Sequence, residues 1–231
     1  MVRKVALWSI WGGFIAYVFL LAPPIQPDTL NLLKNLFTGQ WQLINPIILS
    51  IFSLVGICLL IHSCLMFFDG RMQKIPAWPF ALASVGTGVI GLLPYLALRE
   101  PNQEFSGSKD TWLKLLDSGS TGVILSLSTL AILTYGLLLG DWGNFVEQYQ
   151  TSKFINAMSL AVCLLALLIP ALLGDDMARR HIKNPLVFWA VALLPLLGPL
   201  VYLCLRPSLP DAGDEVASQK DENLPNLTPK S

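Results

Sequence analysis

The chain has 231 residues, 54% hydrophobic and only 13% charged, with a mean hydropathy of +0.60. A soluble domain carries about one quarter charged residues, so most of this chain is built for a solvent other than water. Fifteen basic residues balance fifteen acidic ones, which excludes the positive field that a nucleic acid partner requires.

The charges sit in gaps between apolar runs, as lipid demands. Met1–Lys4 opens with two positive charges, and Val5–Ala22 is an apolar run of spanning length. A secretory signal is the other reading of such a start. The run ends in Ala22-Pro-Pro-Ile25 with no small-x-small cleavage site, so a retained first span is expected. Pro23–Leu43 is a connector in which Leu30–Phe37 forms a short helix on the membrane surface, stopped by Gly39. Asn45-Pro46 then caps and opens a second span.

Ile44–Phe68 and Ala77–Leu98 contain no Asp, Glu, Lys or Arg and flank the polar turn Asp69–Pro76. Each run, as helix, covers the roughly 30 Å of a hydrocarbon core. A polar loop, Arg99–Ser118, leads to a fourth span at Gly119–Leu139. Asp141–Lys153 spaces Trp142, Phe145, Val146 and Tyr149 as an interfacial helix. A fifth span, Phe154–Leu173, a charged turn, Gly174–Pro185, and a sixth span, Leu186–Leu205, follow. The tail Leu209–Ser231 is polar and proline-containing and is expected to be disordered. The predicted fold is therefore all-α, a polytopic membrane protein with six transmembrane helices (about 5–22, 44–68, 77–98, 119–139, 154–173 and 186–205). The seven tryptophans fall near span ends, where amphipathic rings prefer the interface.

Six spans put both termini on one side. The basic residues near the spans then divide almost evenly between the two faces, so only the first helix points, weakly, to cytoplasmic termini. Within lipid, helices join through small residues and hydrogen bonds. Ser84, Gly88, Gly91 and Tyr95 form one face of the third span; Gly122, Ser126, Thr129, Gly136 and Gly140 form a stripe on the fourth. These two faces are expected to pack together. Pro195 and Pro199 should kink or unwind the sixth helix near Leu194–Pro199.

Chemistry is sparse. His62 is the only histidine within a span, so a haem or chlorophyll metal would find a single ligand there; an interhelical hydrogen bond is the plainer role. The turn Asp69-Gly70-Arg71 resembles the start of the CDP-alcohol phosphotransferase signature, but the following run has none of the carboxylates that motif needs. Asp175 and Asp176, beside Arg179, Arg180 and His181, are the nearest approach to a metal or phosphate site, with a self-neutralising turn as the alternative. His181-Ile-Lys183 imitates a phospholipase D opening, but Phe188 stands where its aspartate belongs. Cys58, Cys64, Cys163 and Cys204 all lie in apolar runs and read as small hydrophobes. No cofactor is predicted.

Two resemblances follow. Phe188-Trp189, Leu194-Pro195, Gly198-Pro199, Tyr202 and Arg206 resemble the second helix of the membrane hairpin that precedes cardiolipin-synthase-type phospholipase D domains. That hairpin is an anchor, so the resemblance implies no synthase activity. Phe37–Trp41, Asn45-Pro46, Phe68–Phe80 and Leu93–Arg99 resemble an uncharacterised multi-span family of cyanobacteria and plastids. That implies a plasma or thylakoid membrane and no defined activity. The expected function is non-catalytic: an auxiliary or assembly factor in contact with the bilayer and a larger membrane complex. The rivals are a small-solute channel or carrier and a lipid-modifying enzyme using Asp175, Asp176 and His181.

Overall fold

The computed structural model describes residues 1–71, 73–105 and 107–211, and within them all regular structure is helical. The expected tail falls mainly on 212–231, outside the described residues. Its first part is docked: Leu209 is buried, and its backbone N–H reaches an Asp117 carboxylate oxygen at 3.0 Å.

Among the described residues, four helices are long and apolar enough to cross a membrane. The first runs through α1 (Val2–Ala16) and a π-helical turn, Tyr17–Leu21. The second is α3 (Pro46–Gly70), opened as expected by the Asn45 side chain accepting from the Ile47 N–H. The third is α7 (Gly119–Leu139). The fourth joins α9 (Lys153–Leu168) to α10 (Pro170–Arg179), with Pro170 removing one hydrogen bond at the join. Their outer faces leave large leucines exposed, as in Leu127, Leu130, Leu138 and Leu167, which suits lipid and not water. The architecture is compatible with an integral membrane protein.

The third and sixth expected spans are not continuous helices, so the count of six is not confirmed. The third is a hairpin of α4 (Trp78–Thr87) and α5 (Val89–Leu98), turned at Gly88 with φ +59°. Gly91 packs so closely on the other arm that a Cβ there would lie 2.6 Å from the Ser84 nitrogen, and the Phe80 and Tyr95 rings meet at 5.7 Å. Both contacts place the arms antiparallel. The sixth is a hairpin of α11 (Pro185–Ala192) and α12 (Leu197–Leu205), with Gly198 held against the Val191 backbone. The expected break at Leu194–Pro199 is therefore a full reversal. It is made by a positive-φ γ-turn at Leu196, where the Leu197 N–H donates to the Pro195 carbonyl at 2.9 Å. Arms of eight to ten residues reach only about 12–15 Å, half a hydrocarbon core.

The predicted contact between the two small-residue stripes is also corrected. Gly91 serves its own hairpin, Gly122 admits the α12 backbone at Leu203, and Gly136 and Gly140 admit Ser50 and Ile47 of α3. The short surface helices α2 (Thr29–Thr38) and α8 (Trp142–Thr151) lie where the sequence puts them, as does the Gly39 stop at φ +77°. A last short helix, α6 (Thr111–Asp117), precedes α7.

Candidate functional site

The helices run past the apolar segments that define them. Asp69 lies in the last turn of α3 and Asp176 in the last turns of α10, both fully buried. Each receives a tyrosine and an arginine from the hairpin that follows it. Tyr95 Oη donates to Asp69 at 2.6 Å, and Arg99 closes on both Asp69 oxygens, Nε at 2.7 Å and Nη2 at 2.5 Å. Tyr202 Oη donates to Asp176 at 2.7 Å and Arg206 Nη1 at 3.1 Å. The spacing is 26 residues from aspartate to tyrosine and 30 from aspartate to arginine in both cases.

This is an internal repeat with one fixed offset: residues 69, 95 and 99 map onto 176, 202 and 206, and Gly91 maps onto Gly198. The order of elements repeats with it, namely a span, a surface helix, a longer span and a hairpin. The two copies reach into each other symmetrically. Arg99 Nη1 donates to the Ala171 carbonyl at 3.1 Å and Arg206 Nη1 to the Cys64 carbonyl at 3.2 Å, and Cys64 and Ala171 are themselves related by that offset. Arg179 stands between the copies, 3.3 Å from Asp69 and 3.7 Å from Asp176.

Further pairs close the cluster. Arg99 also meets Asp175, and Arg180 bridges Asp176 at 2.9 Å and Asp117 at 2.7 Å while stacking 5.7 Å over the Phe68 ring. Burial alone would lower the pKa of Arg180. Asp176 and Asp117 more than reverse this, so its pKa is raised and the guanidinium stays charged. Four arginines and four aspartates thus neutralise one another in a largely buried site. Asp175 and Asp176 are committed to arginines, His181 is exposed while Asp176 is buried, and no cluster of metal-ligating residues exists among the described residues. The sequence alone points to Asp175, Asp176 and their turn; it touches Asp69, Tyr95, Arg99, Tyr202 and Arg206 only in other connections and does not join them into one site. The signal that finds them is the repeated spacing Asp-x25-Tyr-x3-Arg.

His62 is buried at 1% exposure. Its Nδ1 lies 2.8 Å from the Cys58 carbonyl, which only accepts, so Nδ1 carries the proton. Nε2 is a lone pair with no hydrogen-bond partner. Thus the expected interhelical bond is an intrahelical one. The cysteines are free, with Cys58 and Cys64 buried and Cys163 exposed.

No protein-family model, curated protein or solved structure matches the chain.

Proposed function

We propose that this chain is a non-catalytic membrane scaffold, an auxiliary or assembly factor that works by association with a larger membrane complex. The supporting observation is the saturation of its one dense charged cluster: each aspartate in it is held by arginine, which fits a structural clamp between two halves better than a reacting group. The four long helices cross the bilayer, and the two hairpins enter it and return to the clamped end. The N-terminus lies at that end, because Arg3 in the first turn of α1 donates to the Arg99 carbonyl at 2.7 Å, and the described chain also ends there, with the Leu209 N–H on Asp117.

This topology supports an orientation. Of the fifteen basic residues, Lys220 and Lys230 lie outside the described residues; of the remaining thirteen, only Lys34 and Lys153 sit at the far end. An excess of Lys and Arg marks the cytoplasmic face, so the clamped end is cytoplasmic. Cysteine labelling at Asn35 and Asn144, from outside intact cells, tests it. Purification of the tagged protein in mild detergent, followed by mass spectrometry of co-purifying proteins, tests the association; a homogeneous isolated chain would overturn it. The resemblance of the first half supports a plasma or thylakoid membrane of a cyanobacterium, which membrane fractionation tests.

A carrier is the second reading, favoured by the repeated broken helices. Solute flux in vesicles, lost when Pro195 or Pro199 is changed, would support it over the scaffold.

A further inference from the structure

The two repeats agree at the clamp and part company in the middle of the membrane. The offset that maps Asp69 onto Asp176 maps His62 onto Ile169, and Ser84 onto Val191. Ile169 is buried and apolar, so this position in the scaffold asks for nothing more than a hydrophobe. A histidine there leaves a buried lone pair unanswered, which destabilises the fold. That cost is unexplained by the fold.

His62 and Ser84 both line a cavity of about 650 Å³ between α3 and the α4 arm. The rest of its wall is apolar and rich in rings: Phe37, Phe52, Phe67, Trp78 and Trp112 all contribute. Phe37, Trp78 and Trp112 are also among the exposed large hydrophobics, so the cavity opens sideways to lipid. Along α3 it extends from Phe52 to Phe67, about 22 Å at the helical rise. The space is long and greasy, ringed by aromatics, with one imidazole in its wall.

The chemistry of Nε2 limits the occupant. As an unprotonated ring nitrogen it accepts a hydrogen bond or takes a metal. With His62 at 1% exposure and Nε2 closed to water, a broad macrocycle has no open face on which to seat, whereas a single hydroxyl needs only a small shift of the neighbouring side chains to meet Nε2. The aromatic walls favour a flat ring over an acyl chain, through offset and edge contacts.

We propose that this groove binds an amphiphile with a phenolic or quinol head and a long apolar tail, its hydroxyl donating to His62 Nε2 and its ring held among the aromatic walls. The site belongs to the first repeat, and it stands whether or not the chain joins a larger complex.

The test uses full-length protein in nanodiscs of saturated phosphatidylcholine, titrated anaerobically with decyl hydroquinone and, separately, with its di-O-methyl ether. Quenching of tryptophan fluorescence reports binding. The hydroquinone should bind about tenfold more tightly than the ether, which keeps the ring and tail but has no proton to donate. H62I, which installs the residue the second repeat uses, should erase that preference and leave affinity for the ether unchanged within about twofold. Equal binding of both probes to the unmodified protein overturns the proposal and leaves the groove to lipid chains. A preference that survives in H62I overturns it as well. If H62I does not assemble, the comparison of the two probes on the unmodified protein still decides.

Discussion

The two halves of this molecule solve the same problem with different turns. In the first hairpin, Gly88 makes the reversal at φ +59°, and a Cβ there would meet nothing within 4 Å. In the second, Leu196 makes it at φ +71°, a strained γ-turn forced between Pro195 and Pro199. Yet both hairpins return an arginine and a tyrosine to a buried aspartate at matching spacing. The ionic clamp tolerates little variation because each unpaired charge in lipid is expensive. The turn tolerates more, since many backbones can reverse a chain.

The comparison breaks first at the aspartates. Asp176 holds Arg180 and Arg206 directly and faces Arg179 at longer range, whereas Asp69 holds Arg99 and Arg179. Asp176→Ala should cost about 3–5 kcal/mol by leaving the buried Arg206 guanidinium with no carboxylate, although Asp117 still holds Arg180, and Asp69→Ala somewhat less, since Asp175 still faces Arg99 and Asp176 still faces Arg179. Thermal unfolding in mild detergent, followed by size-exclusion chromatography, should show both variants collapsing, Asp176→Ala at the lower temperature. The reverse order would mean that the second copy is not the more heavily loaded one.

Tyr95→Phe and Tyr202→Phe sharpen the symmetry. Each removes one hydrogen bond to a buried carboxylate, worth about 1.5–3 kcal/mol. Equal losses in the same melting assay are expected; a gap of more than about 1 kcal/mol would show that the two clamps are not energetically equivalent.

Smaller effects belong to the turns. Gly88→Ala should cost about 1–2 kcal/mol through backbone strain alone, because the space around it is open. By contrast, Leu196→Gly should raise the melting temperature slightly, by relieving up to about 1 kcal/mol of positive-φ strain, less whatever chain entropy the glycine adds. A destabilised Leu196→Gly would mean that the leucine side chain, and not the turn, matters at that tip.

Much was legible without coordinates. Apolar runs free of charge, the Asn45-Pro46 start, the Gly39 stop and the surface helices at α2 and α8 all follow from local chemistry, and the helices form where those signals lie. What misled was Ala77–Leu98: 22 uncharged residues are long enough to cross, and hydropathy cannot distinguish crossing from entering and returning. What argues against crossing is relational. Gly91 must touch Ser84, and Arg99 must come back to Asp69, neither of which any window of composition can contain.

The sequence by itself determined that this chain is helical, that its helices suit lipid, and that its polar turns lie between them, because each of those depends on neighbours along the chain. The tertiary structure decided which apolar runs turn back, which carboxylates are spent on arginines, and that the whole is a doubled unit clamped at one end. Those depend on a tyrosine 26 residues and an arginine 30 residues beyond an aspartate meeting it out of reach of solvent, and burial there is a property of the packed assembly alone.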